Sequence, residues 1–175
     1  MSDTSTAYDA PSSIPKPKWR PIIQAGLVGN IMEWYDFAVY GYFASIIGTQ
    51  FFPSEDPAVS LIAAFGAFAA GFLMRPIGGI LFGRIGDVYG RKRVLTLSVL
   101  SMAIPTVLIG LMPNYAAIGI MAPIMIVVLR MIQGLSVGGE YTSSVVFMIE
   151  KAPKNRRSFF AMWSIWGAIF GIMLG

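Results

Sequence analysis

Long apolar runs separated by short polar breaks set the pattern of this chain. The runs cover residues 22–47, 58–83, 94–112, 116–150 and 158–175, and the last is still apolar at Gly175. Between the first two lies an acidic turn, Phe51-Phe52-Pro53-Ser54-Glu55-Asp56-Pro57; between the third and fourth lies Met112-Pro113-Asn114-Tyr115. The other two breaks, 83–93 and 150–157, are basic. A membrane-spanning helix needs roughly 20 apolar residues, and four of the runs reach that length. In hydrocarbon every backbone N–H and C=O must be bonded internally, so such runs become helices. The expected fold is therefore all-α, a polytopic transmembrane helix bundle. Buried helices of a soluble protein are the competing reading.

Composition speaks against that competitor. Of the 175 residues 55% are hydrophobic and 13% charged, against about 25% charged in soluble domains. Cys and His are both absent, which excludes disulfides, thiol chemistry and His metal sites. No metal and no organic cofactor is expected. The eleven Met read as lipid-facing filler.

The placement of charge gives orientation. Lys16, Lys18 and Arg20 precede the first run, four basic residues lie in 84–93 and four in 151–157, while the two alternate turns carry none. By the positive-inside rule the N-terminus and both basic breaks are cytoplasmic, so the net charge of +4 points to membrane topology and not to nucleic acid. Residues 1–20, polar and Pro-rich, read as a disordered cytoplasmic tail. The first run carries Glu33 and Asp36 and no small-residue cleavage site, so it reads as a retained helix and not a signal peptide. An odd number of spans, the last cut at Gly175, suggests a fragment, with 21–175 an incomplete N-terminal bundle.

Glu33, Asp36, Arg75, Arg130 and Glu140 lie inside the runs. Each costs roughly 2.5–3.5 kcal/mol to insert, and such residues face the bundle interior, pair, and mark substrate or ion paths. Rises of about 1.5 Å per residue put Asp36 roughly 21 Å and Arg130 roughly 30 Å from the inner side, levels that a tilted or protruding fourth helix would bring together, and set Glu33 and Glu140 around Arg75. Asn30, Glu33, Asp36 and Tyr40 share one helix face, and Gln133 follows Arg130 by one turn. Gly79-x3-Gly83 and Gly134-x3-Gly138 suit close helix approach. The ion pairs admit two readings: fixed struts, or a pair that opens. A carboxylate released from its Arg partner takes a proton more readily, a physical route to proton coupling. The break at 83–93 reads as a basic hairpin, with Gly86 and Gly90 letting the backbone turn.

These residues match a family. Gly83-x3-Asp87-x2-Gly90-Arg91-Lys92 resembles the loop signature between helices 2 and 3 of the major facilitator superfamily. Gly29-Asn30-x2-Glu33-Trp34-Tyr35-Asp36-Phe37-x2-Tyr40-Gly41 resembles helix 1 of the metabolite:proton symporters. Arg75-Pro76-Ile77-Gly78 and Arg130-x2-Gln133-Gly134-x3-Gly138-Gly139-Glu140 are similar to their helices 2 and 4. That group includes proline/betaine, α-ketoglutarate, shikimate and citrate transporters. The resemblance covers about 21–175 but only the first half of a family member. It implies a twelve-helix fold, of which these are the first five or so helices, working by alternating access in a bacterial inner membrane. It implies Asp36, Arg130 and Glu33 as proton-coupling residues. Arg75, Glu140, Asn30, Tyr40 and Gln133 would form the substrate site or its charge network. Gly83, Asp87, Gly90, Arg91, Glu150 and Arg157 would form a cytoplasmic gate. The partners implied are lipid, a small-molecule substrate and the missing C-terminal helices.

The expected function is secondary active transport, proton symport of a carboxylate-bearing metabolite or zwitterionic osmolyte, with the proton as coupling ion. A proton-coupled exporter and a non-transporting membrane scaffold remain as alternatives. Without His, Cys or a phosphate-binding G-x4-G-K-[ST] loop, an enzyme is not expected.

Overall fold

The computed structural model describes residues 19–175, without the side chains of 19–22, 25, 26, 91, 92, 140–143, 151 and 154. The tail of 1–18 lies outside the described residues. Within them the chain is helical and contains no strand. The helices are α1 (Trp19–Phe51), α2 (Pro57–Tyr89), α3 (Arg91–Leu111), the single turn α4 (Tyr115–Ile118), α5 (Met121–Lys151) and α6 (Arg157–Leu174), with a 3₁₀ turn at Lys154–Arg156 before α6.

Four of these helices are long and apolar enough to cross a membrane: Pro57–Tyr89, Arg93–Leu111, Met121–Glu150 and Arg157–Leu174. The chain is a multi-pass membrane protein. α1, expected to span, falls outside that group although its 33 residues equal α2 in length. Asn30, Glu33, Asp36 and Tyr40 lower its average hydropathy, and all four are buried against other helices. Its outer surface carries Val28, Tyr42, Phe43 and Ile46, so polarity is turned inward, as lipid requires.

α1 and α2 run longer than the apolar pattern predicts. α2 continues through Arg84 and Asp87 to Tyr89, so most of the expected hairpin at 83–93 is helix. Surface charges do not break a helix; only Gly90 does, with φ of 90°, where a side chain would be strained. Its N–H closes on the carbonyl of Gly86, 3.0 Å away, and α3 begins at the next residue. The turn is thus one residue long. Gly119, with φ of 59°, similarly splits the expected fourth run into α4 and α5. At the opposite end Asp56 caps α2 by accepting from the Ala58 N–H at 2.8 Å, a strong helix-start signal.

Packing is tightest between α2 and α5, followed by α1 with α6 and α3 with α5. A methyl group on Gly134 would overlap the Gly71 carbonyl; one on Gly78 would overlap that of Leu135, and one on Gly138 that of Arg75. The backbones of α2 and α5 therefore touch over nearly two turns. Gly138 takes part as expected. Nothing among the described residues lies within 4 Å of a methyl placed on Gly83, and Gly71 and Gly78 add backbone contacts that the spacing does not show. On the other side Gly167 and Gly171 seat α6 against Leu27, Asn30, Ile31 and Trp34 of α1.

Candidate functional site

Close approach of α2 to α5 decides what the buried charges can reach. Asp36 on α1 and Arg130 on α5 meet in an ion pair, Nη1 to Oδ2 2.5 Å. Both are nearly inaccessible. Glu33, one turn earlier on α1, accepts from Arg75 of α2 at 3.2 Å. The i,i+3 spacing of the two acids thus sends one to α5 and the other to α2. Removing one member of such a buried pair strands the other charge, at a cost of roughly 3–5 kcal/mol. The geometry holds both cations against acids while leaving them unequally exposed: the Arg75 side chain keeps 27% of its surface and Arg130 only 7%.

Aromatic rings fill the space between the cations. The Arg75 guanidinium lies over Phe72 at 4.0 Å and Phe37 at 4.6 Å. Arg130 lies over Tyr40 at 3.9 Å, and Tyr40 stacks on Phe68 at 5.1 Å. Ring faces attract cations, most strongly where water is absent, so Phe68 separates two like charges while its neighbours solvate them. The Tyr40 hydroxyl is committed elsewhere, donating to the Ala64 carbonyl at 2.8 Å; this fixes α1 to α2 at the level of the pair.

A fourth helix, α3, also enters the site. Thr106 Oγ1 accepts from Gln133 Nε2 at 2.7 Å and lies 3.5 Å from Asp36 Oδ1. Gln133 Oε1 and Arg130 Nε, both buried, have no partner among the described residues. Asp36, Arg75, Arg130, Gln133, Phe37, Phe68 and Phe72 are among the residues lining a small, partly open cavity of about 20 Å³, room for about one water.

The remaining expected residues are placed as follows. Asn30 Nδ2 donates to Ser144 Oγ at 3.4 Å, one turn below Glu33. The side chains of Glu140 and Arg91 lie outside the described residues, so neither the Glu140–Arg75 tier nor the Arg91–Glu150 contact is assigned. Asp87 and Arg157 are exposed near the helix ends that flank the basic breaks, as is Glu150, and among the described residues Asp87 and Arg157 form no ion pair. Thr106, Phe68 and Phe72 went unread in the sequence. The two Phe carry a weak signal, since Phe68, Phe72 and Arg75 follow helical spacing; Thr106 carries none.

The family described as "Sugar (and other) transporter" matches residues 22–175. The proline/betaine transporter of Salmonella typhimurium is 48% identical over 158 residues, 90% of this chain and 32% of that protein. A glycine betaine/proline/ectoine/pipecolic acid transporter of Dickeya dadantii is 46% identical over 97% of this chain and 34% of its own length. The shikimate transporter of Escherichia coli is 45% identical over 83% of this chain and 34% of its own. The chain therefore spans about a third of the length of the curated relatives it matches. No solved structure matches.

Proposed function

This chain belongs to the sugar (and other) transporter family, within the major facilitator superfamily, and from that premise we propose that the whole protein is a proton-coupled symporter. Its cargo is a small carboxylate-bearing metabolite or zwitterionic osmolyte. One observation carries the reading: a buried acid–Arg pair, Asp36–Arg130, forms a wall of the same cavity as the more exposed Arg75. Arg75 is the cation with surface to offer a substrate carboxylate, and its planar fork suits bidentate recognition. Asp36 is the acid whose charge depends on whether Arg130 stays with it. Substrate engaging the buried Gln133 and Arg130 atoms that lack partners among the described residues would loosen that pair and let a proton exchange at the Asp36 carboxyl. Glu33 holds Arg75 in place and shares the coupling role. Relatives named for proline, betaine and shikimate fit cargo of this kind.

A cavity with room for one water does not hold proline. The substrate's remaining walls come from movement of these helices and from chain beyond them, and alternating access is the proposed means. Asp87, Gly90, Arg91, Glu150 and Arg157 belong to a gate on the cytoplasmic side of an inner membrane, with the N-terminus on that same side. No metal or organic cofactor takes part in this scheme.

The test is uptake by the full-length protein in proteoliposomes. A competition panel of proline, glycine betaine, α-ketoglutarate, citrate and shikimate is run with and without an imposed pH gradient, acidic outside. The symport reading expects at least one to accumulate only with the gradient. Uptake that the gradient leaves unchanged, or that an opposite gradient drives, contradicts it.

A further inference from the structure

Thr106 occupies a position that the two ion pairs do not explain. It stands on α3, between Asp36 of α1 and Gln133 of α5. Its hydroxyl has one hydrogen and two lone pairs. One lone pair takes the Gln133 Nε2 hydrogen at 2.7 Å. The hydrogen points to the Met102 carbonyl at 2.9 Å, four residues back, a common resting place for a helical Thr. That carbonyl also accepts the backbone N–H of Thr106 in the helix ladder, so the hydroxyl bond is a second one it can lose. Pro105, inside α3, removes the N–H that would bond Ser101 and so loosens this turn. Asp36 Oδ1 lies 3.5 Å from the same oxygen, so rotation of the hydroxyl hydrogen about the Thr106 Cβ–Oγ1 bond can aim it at either acceptor while the Gln133 bond stays.

We infer that Thr106 is a positioning residue for Asp36, its hydroxyl turning between the Met102 carbonyl and the Asp36 carboxyl while Gln133 ties it to the substrate cavity. The inference rests on the proposed proton coupling. With Arg130 in place, Asp36 has its charge partner and the hydroxyl rests on Met102. When Arg130 withdraws, the hydroxyl turns and donates to the carboxylate. When Asp36 takes a proton, the free lone pair of Thr106 accepts the carboxyl O–H. A hydroxyl serves both states because it both donates and accepts; a methyl serves neither. The other groups facing Asp36 each fall short of this. Arg130 only donates, Tyr40 is committed to Ala64, Gln133 reaches Asp36 only through Thr106, and on α2 Arg75 is committed to Glu33.

Two substitutions separate hydrogen bonding from packing. Thr106→Val keeps the shape and loses the hydroxyl; Thr106→Ser keeps the hydroxyl and loses a methyl. Each is compared with wild type in full-length protein in proteoliposomes, by gradient-driven accumulation and by counterflow exchange. The probes are radiolabelled proline, glycine betaine and shikimate. Thr106→Val is expected to lower accumulation about tenfold while exchange stays within about threefold, and Thr106→Ser to recover at least half of the accumulation. Accumulation by Thr106→Val equal to wild type, or by Thr106→Ser no better than Thr106→Val, overturns the role of Thr106 alone. A wild type that accumulates none of the three probes overturns the symport reading and this inference with it.

Discussion

Replacing Gly134 with Ala and Gly66 with Ala makes the same chemical change in two helices with opposite expected sign. Ala in place of Gly favours a helix by about 0.8–1.0 kcal/mol. At Gly66 nothing lies within 4 Å of the added methyl, so the propensity gain is all that remains, and the variant should be about 1 kcal/mol more stable or unchanged. At Gly134 the methyl overlaps the carbonyl of Gly71, which is backbone and cannot turn aside. Across the same interface a methyl on Gly71 would stand 2.8 Å from the Arg130 carbonyl, against 3.4–4 Å for ordinary contact. The helices must part, and overpacking of this kind costs about 1–3 kcal/mol. Because only a backbone shift relieves it, the upper end applies. Subtracting the propensity gain leaves about 2 kcal/mol of destabilisation. Thermal unfolding of the full-length protein in detergent measures the difference. A Gly134→Ala variant as stable as Gly66→Ala would refute the backbone contact of α2 with α5.

Two further outcomes follow from the charges. Asp36→Asn and Arg130→Met should each destabilise, and the double variant should cost less than their sum, with a coupling energy on the order of 1–3 kcal/mol by a double-mutant cycle; additivity within about 0.5 kcal/mol would show that the pair is not formed. Arg75→Lys should raise KM for a carboxylate substrate about tenfold or more, because an ammonium keeps the charge but loses the planar fork stacked on Phe37 and Phe72. An unchanged KM removes Arg75 from substrate recognition.

The sequence carried the all-helical bundle and the matching of acids to Arg residues, for a physical reason. Charges in hydrocarbon are too costly to be incidental, so Glu33, Asp36, Arg75 and Arg130 advertise that they pair, and helical rise sets their levels. It misled where charge was taken as a sign of chain reversal: Arg84 and Asp87 are helical, and the reversal belongs to Gly90 alone. Spacing along α2 also does not reveal how far the crossing with α5 extends: Gly71 and Gly78 meet the α5 backbone as well, beyond the Gly79 contact with Gly138. Thr106 was out of reach for the same reason. One hydroxyl in an apolar helix has no periodic signature, and its nearness to Asp36 exists only once α3 is docked between α1 and α5. Phe68 and Phe72, unread in the sequence, take a role only through the Arg130–Tyr40–Phe68 stack and the Arg75–Phe72 contact.

The claim on which the functional account turns is that Asp36 exchanges a proton when its contact with Arg130 opens. Its most direct test is Asp36→Asn in full-length protein in proteoliposomes, with gradient-driven accumulation and counterflow exchange of the same substrate measured side by side. Asn keeps the size of the side chain and cannot cycle a proton. The account predicts that accumulation against a gradient is lost while exchange persists. Accumulation that survives at wild-type level would contradict it.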